Sequence, residues 1–260
     1  MAEVIVLDSQ EAGADLVADH IAGLAHENPE LTLGVATGST PLPVYAALAE
    51  RAASGADFTR AAAFALDEYV GLPDGHPESY ASVVDREVTQ RLGLDSDRVH
   101  VPDGSLAGIE SAGARYERAL TEHGGVDLQL LGIGATGHLG FNEPGSSFAS
   151  LTRVKTLTER TRRDNARFFD SLDEVPMHCV TQGLGTILRA RHLVLLAFGE
   201  GKAEAIAQAV EGPVTASMPG SAIQLHPHVT VVLDPAAASA LRHRDYYGWA
   251  QENKPDWQGI

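Results

Sequence analysis

Hydrophobic positions along the chain fall into two alternating kinds of segment. Short aliphatic and β-branched runs at 4–7, 31–37, 62–66, 99–101, 128–133, 193–198 and 229–233 read as strands. Longer stretches with apolar residues every three or four positions, at 12–26, 42–53, 80–92, 109–122, 162–169, 184–190 and 202–210, read as helices. Strand-helix alternation of this kind predicts an α/β fold: a Rossmann-like, doubly wound, mostly parallel sheet with helices on both faces. The run Leu193-Val-Leu-Leu-Ala-Phe198 has no polar side, as expected of a strand covered above and below. No linker, repeat or low-complexity tract divides the chain. Residues 1–247 therefore read as one α/β domain, and the polar stretch 248–260 as an appended surface tail.

In an open α/β sheet, ligands bind beyond the carboxyl ends of the strands, and four such ends carry chemistry. The turn Ala36-Thr-Gly-Ser-Thr-Pro41 follows a strand, with Thr40 placed to cap the next helix and Pro41 in its first turn. It offers the N–H groups of Gly38, Ser39 and Thr40 to a phosphate. It lacks the Gly-Lys-Ser/Thr ending of a nucleotide loop, and an ordinary capped turn explains it equally well. Asp67 and Glu68 leave the next strand side by side. Adjacent residues point opposite ways, so only one can face a pocket. The segment Leu130-Leu-Gly-Ile-Gly-Ala-Thr-Gly-His-Leu-Gly-Phe-Asn-Glu-Pro144 brings His138 and Glu143 into one glycine-broken turn, the usual parts for moving protons near neutrality. Phe198-Gly-Glu-Gly-Lys202 sets a lysine at a helix start, where the dipole disfavours it unless it holds an anion.

Composition narrows the function classes. A chain of 260 residues can bury a sizeable core. The single cysteine, Cys179, excludes an intrachain disulfide and a thiolate metal cluster, and fits a reducing, cytoplasmic setting. The start Met-Ala-Glu-Val-Ile-Val lacks a secretory pattern, and no apolar run approaches the ~20 residues that span a bilayer. A net charge of −16 weighs against nucleic acid and anionic membranes as partners, though not against a small anion held by local cations. The remaining histidines are scattered, and no metal site is expected.

Several motifs in order resemble the glucosamine-6-phosphate deaminase family. They are Leu33-Gly-Val-Ala-Thr-Gly-Ser-Thr-Pro41, Asp67-Glu-Tyr-Val-Gly-Leu72, His76-Pro-Glu-Ser-Tyr80, Gly137-His-Leu-Gly-Phe-Asn-Glu-Pro144, Lys155-Thr-Leu-Thr158, Asn165-Ala-Arg-Phe-Phe-Asp170 and Gln224-Leu-His-Pro227. The resemblance implies conversion of glucosamine 6-phosphate to fructose 6-phosphate and ammonia, without a cofactor. His138 suits the ring-opening proton shuttle, with Glu143 orienting it. By resemblance, Asp67 is the base for the C2 proton. Gly38, Ser39, Thr40 and Lys202 would hold the phosphate. Arg167 joins them by resemblance, from a lid-like segment at about 150–182. Thr136 departs from the family, which commonly has Asp or Asn two residues before the histidine. Ser146, Arg153, Lys155 and Thr156 match positions that hold an effector phosphate in some hexameric members, so a homo-oligomer is allowed. Leu151 stands where an arginine is common there. Deamination of galactosamine 6-phosphate, sugar-lactone hydrolysis on the same scaffold and a non-catalytic sugar-phosphate sensor are the alternatives.

Overall fold

The computed structural model describes residues 2–255 and 257–260. Its strands are β1 (Glu3–Val6), β2 (Thr32–Val35), β3 (Ala62–Ala65), β4 (Asp67–Tyr69), β5 (Val99–His100), β6 (Leu128–Gly132), β7 (Arg153–Thr156), β8 (His178–Thr181), β9 (His192–Ala197) and β10 (Val229–Leu233). Seven form one parallel sheet in the order β1-β10-β9-β6-β2-β3-β5. The chain crosses from β1 to β2 and winds outward through β3 to β5. It then returns to β6 and winds the other way through β9 to β10. Winding reverses between β2 and β6, so the turns leaving those two strands diverge and open a crevice.

Both faces of this sheet are covered, as the unbroken apolar strands require. Leu193, Leu195 and Ala197 of β9 pack into one core with Tyr116 and Leu120 of the helix Ile109–Glu122 and Ile206 of the helix Ala203–Glu211. Val194 and Leu196 point the other way, into a core with Val17 and Ile21 of the helix Gln10–Glu27 and Leu48 of the helix Leu42–Ala53. Strand alternation alone divides the two sets.

The sequence pattern misses a second sheet, antiparallel, in the order β4-β8-β7. Its strands are short and polar (Asp-Glu-Tyr, His-Cys-Val-Thr and Arg-Val-Lys-Thr), so no apolar run marks them. Leu66 joins the two sheets. Its N–H donates to the Val35 carbonyl of the parallel sheet, at 3.0 Å, and its carbonyl accepts from Gln182 N just after β8, at 2.8 Å. The chain thus leaves one sheet and enters the other within a single residue, and Asp67 is the first position beyond.

Other boundaries differ locally. The helix expected at 80–92 is Tyr80–Val84, then a wider π-turn Asp85–Thr89, then Gln90–Leu92. The 162–169 helix starts earlier, as Glu159–Asn165, because Thr158 caps it by accepting from Thr161 N at 3.1 Å. It ends in a tighter turn, Ala166–Phe168. The 184–190 helix shrinks to Leu184–Ile187. Near the C-terminus the helix Arg244–Glu252 runs through position 248 and packs on β1. Lys254 pairs with Glu3, and Ile260 packs against the core around the helix Gln10–Glu27. The polar tail is therefore fastened to the domain. Among the described residues no helix is long and apolar enough to cross a membrane.

Gln182 is 1% exposed, and its side-chain amide donates to the Ala65 carbonyl at 3.1 Å, where β3 stops. Gln182→Leu keeps the volume but removes that donor next to the junction. The expected cost is about 1–3 kcal/mol, lowering Tm by roughly 2–4 °C per kcal/mol for a chain of this size. A thermal melt at the parental Tm would remove Gln182 from the account of the junction.

Candidate active site

The crevice between β2 and β6 holds a cavity of about 790 Å³. Its wall is built from the turn 36–40, Asp67, His138 and Lys202, together with Thr161, Asp164 and Arg167 of the lid-like segment.

The turn after β2 is set by Tyr45. Its hydroxyl accepts from Ala36 N at 3.1 Å and donates to Ala36 O at 2.7 Å, which ends the strand. Gly38 then takes φ +90°, a left-handed conformation that only glycine adopts cheaply. Thr40 does not cap the next helix. The helix begins at Leu42, so the cap position falls on Pro41, and no side chain caps it. Its first-turn amides thus lack a side-chain partner, which leaves the helix end more suited to an anion than a capped turn would be. Gly38, Ser39 and Thr40 all line the cavity.

Lys202 reaches the same space from the turn after β9. Its Nζ donates to Ile133 O at 2.7 Å, and the turn itself is pinned by Asp234, whose carboxylate accepts from Gly199 N at 2.9 Å. Burial lowers the Lys202 pKa, and the nearby Arg167 guanidinium lowers it further, while Asp164 opposes both. Two cations held this close gain from an anion between them.

Asp67 and Glu68 separate as strand alternation requires. Glu68 turns from the cavity, and its carboxylate accepts from Tyr80 N at 2.9 Å and Ala81 N at 2.8 Å, capping the helix Tyr80–Val84. Asp67 faces the cavity and is 5% exposed. Burial pushes its carboxyl up to about 8, with a further push from the neighbouring Glu68. Gly140 makes room for it: a Cβ there would come within 3.2 Å of Asp67 Oδ2 and 2.9 Å of Thr181 Oγ1.

The segment 138–143 is held against the end of β8. Phe141 N donates to Thr181 Oγ1 at 3.1 Å, and Asn142 Nδ2 donates to Gln182 O at 2.7 Å. This folds Glu143 back behind His138, with Nδ1 to Oε1 at 3.3 Å. Thr136 bridges the pair: its hydroxyl donates to Glu143 Oε2 at 2.9 Å and lies 3.0 Å from His138 Nδ1. A hydroxyl has one proton. Having given it to the carboxylate, Thr136 can only accept from Nδ1–H, which leaves Nε2 as the nitrogen free to take a proton. Glu143 is 6% exposed. Burial pulls its pKa up, but hydrogen bonds from His138, Thr161 and Thr136, with the His138 charge, outweigh that and hold it at about 2. At Gly134 a side chain would collide with the His138 ring, so the backbone there must stay bare.

Of the candidate residues, Asp67, His138, Gly38, Ser39, Thr40, Arg167 and Lys202 meet around one cavity, while Thr136 and Glu143 stand behind His138. Ser146, Arg153, Lys155 and Thr156 lie outside it. Arg153 Nη2 approaches Ser146 Oγ at 3.4 Å, and Ser146 Oγ donates to Glu143 O at 2.7 Å. Arg153 and Lys155 share one face of β7, and Thr156 occupies the other. Sequence reasoning missed Thr161 and Asp164, which line the cavity, and Asn165, which donates to Tyr69 Oη at 2.8 Å. The Thr158 cap that positions all three was a readable helix-start signal. Among the described residues no cluster of three or more His, Cys, Asp or Glu side chains is placed to hold a metal ion.

Several known proteins are similar to this chain over nearly its whole length. The glucosamine-6-phosphate deaminase of Streptomyces coelicolor is 60% identical over 260 residues, covering 99% of this chain and 100% of its own. That of Pseudarthrobacter chlorophenolicus is 57% identical over 258 residues, with 99% and 100% covered. A solved structure of a monomeric glucosamine-6-phosphate deaminase superposes with a TM-score of 0.89 at 39% identity, over 92% of this chain and 100% of that one. A 6-phosphogluconolactonase from Trypanosoma cruzi, 21% identical, shares the fold with a TM-score of 0.77 over 93% and 97% of the two chains. Residues 8–232 match the family described as glucosamine-6-phosphate isomerases/6-phosphogluconolactonase, and the chain belongs to that family.

Proposed function

We propose that the protein is a glucosamine-6-phosphate deaminase, converting glucosamine 6-phosphate and water to fructose 6-phosphate and ammonia. The observation that carries this reading is the pairing of Asp67 and His138 on one cavity that also holds an uncapped helix start, Lys202 and Arg167. A phosphate sensor needs only the last three. A proton-transfer pair beside them is what isomerisation requires.

In the proposed sequence the phosphate sits on Gly38, Ser39 and Thr40, with Lys202 and Arg167 balancing its charge. His138 takes the proton of the C1 hydroxyl and returns it to the ring oxygen as the C1–O bond to the ring breaks. Glu143 and Thr136 hold the imidazole in the tautomer that leaves Nε2 free. The Asp67 carboxylate then removes the C2 proton, acidified by the new C1 aldehyde, while the substrate's ammonium passes a proton to O1, giving an enolamine. The same proton returned to C1 gives a ketimine at C2. Water adds to that carbon, the C–N bond breaks, and ammonia departs with the proton it needs from the added water. Lid closure over the phosphate keeps water from the enolamine until the ketimine has formed.

Ammonia release from glucosamine 6-phosphate tests the assignment directly, with galactosamine 6-phosphate as the parallel arm. Turnover is expected with the first. Ammonia from neither would sink the enzyme reading, and preference for the second would move it to the galactosamine branch. Asp67→Asn should lose at least about 10³ in kcat, since an amide cannot accept the C2 proton.

Asp67 works as the carboxylate, and burial raises its pKa to about 8. Raising pH through that value fills the active form, so the acid limb of kcat/KM should lie well above the ordinary carboxylate range. An acid limb near 4 would contradict the base assignment.

Thr136→Asp should retain turnover but displace the ring-opening limb to higher pH, because a second carboxylate beside the imidazole favours its charged form. A pH–rate curve superimposable on the parent's would show that the hydroxyl does not set His138.

A further inference from the structure

Glu143 receives donors from two separate parts of the chain. Thr136 and His138 belong to its own turn. The others come from the lid: Thr161 Oγ1 donates to Glu143 Oε1, and Thr158 Oγ1 lies 3.3 Å from the same oxygen. Thr158 is 2.9 Å from Thr161 Oγ1 and accepts from Thr161 N. The hydroxyl protons therefore run in one direction, from Thr158 to Thr161 and from Thr161 to the carboxylate. Thr161 is the buried end of that chain.

The same short segment carries Arg167, six residues on, which lines the cavity together with Lys202. It is fastened to the rigid part of the molecule elsewhere as well. Asn165 Nδ2 donates to Tyr69 Oη at 2.8 Å, and Phe169 packs edge-on against Tyr69 with ring centroids 5.7 Å apart. A lid that shifts to meet a phosphate through Arg167 must carry Thr161 with it, because both lie within two turns of continuous helical backbone.

We infer that Thr161 is a positioning residue that couples the seat of the lid to the charge of the His138–Glu143 pair, so that seating the lid also tunes the group that opens the sugar ring. The inference rests on the assignment of His138 to ring opening. Its physical basis is the sharing of one carboxylate. A hydroxyl donating to Glu143 neutralises part of its charge and weakens its hold on an imidazolium. Withdrawing that donor leaves more of the charge to His138, which then keeps its proton to higher pH. The other charged groups lining this cavity are Asp67 from β4, Glu78 from the loop after it, Arg86 and Glu87 from the π-turn Asp85–Thr89, Asp164 and Arg167 from the lid, and Lys202 from the turn after β9. Asp67, Glu78, Glu87 and Asp164 act in the same sense as Glu143, and Arg86, Arg167 and Lys202 oppose it. To this cavity the lid brings one charge of each sign, Asp164 and Arg167, so its movement shifts His138 chiefly through the donor it brings to Glu143.

The test is an NMR titration of the His138 ring in the full chain without substrate, the resonance being assigned by its loss in His138→Gln. Thr161→Val should raise the midpoint by about 0.5 in pH, and Thr161→Ser, which keeps the hydroxyl, should return it to the parental value. Asn165→Ala keeps the Thr158 and Thr161 hydroxyls in the chain but removes the Tyr69 contact that seats them against Glu143. It should move the midpoint the same way, and adding it to Thr161→Val should move it no further. A parental midpoint in Thr161→Val, a Ser variant that stays with Val, or an Asn165→Ala effect that adds fully to it would each overturn the coupling. Ammonia release by the parent is scored separately. Its failure would remove the deaminase reading and leave the titration outcome standing.

Discussion

The hydrogen bond from Gln182 N to Leu66 O is the contact on which the site depends. A strand in a parallel sheet spends its carbonyls on its neighbours, and Leu66 spends its own on a different sheet. The polypeptide must turn out of the main layer there, and the side chain of the next residue is delivered to the crevice between β2 and β6. The same node holds the other half of the chemistry. Thr181 is the register partner of Asp67 and accepts from Phe141 N, and the Gln182 carbonyl accepts from Asn142. Asp67 and the turn bearing His138 are thus fixed to two adjacent residues of β8 and its end. Their relative position is set by backbone and short side chains rather than by a flexible loop, which is what catalytic geometry demands.

Two carboxyl groups near this node show how environment divides one residue type into two roles. Both are buried. Asp67 is desolvated by burial and has the charge of Glu68 beside it, and is pushed up to about 8. Glu143 receives hydroxyl donors and faces an imidazole, and is held at about 2. Burial pushes both in the same direction, so hydrogen-bond donors and the sign of the neighbouring charge decide the difference. In the proposed mechanism the first is the base for a carbon acid, and the second stays ionised and orients a histidine.

The parallel sheet and its two helical layers were legible because they are written in apolar runs that cores demand. Leu193–Phe198 could scarcely be anything but a doubly covered strand. The turn after β2, Asp67 over Glu68, and His138 with Glu143 were legible because strand ends have a known use and alternation assigns their sides. The small sheet was not, since Arg-Val-Lys-Thr and Asp-Glu-Tyr owe their pairing to tertiary contacts and carry little propensity of their own. Thr161 was invisible for a related reason. Its partner is 18 residues away, and nothing in a threonine's neighbours shows that its hydroxyl ends on a buried carboxylate. Thr40 was misplaced by a single residue, the usual uncertainty of a helix end, yet that residue decides whether the turn caps itself or leaves its amides to a ligand.

Thr136 stands where the family resemblance implies Asp or Asn, and its geometry shows what a hydroxyl does there. A carboxylate there would hold the imidazole by charge. The hydroxyl holds it by direction, because giving its only proton to Glu143 leaves it a pure acceptor toward Nδ1–H. Orientation is therefore kept while one negative charge beside the ring is lost. That loss makes His138 depend more on the single carboxylate that remains, and Glu143 is the carboxylate whose charge the lid's threonines share. In a site with two anions behind the histidine, one lid hydroxyl more or less would change little. With one anion, it changes a larger fraction of the field that the imidazole feels.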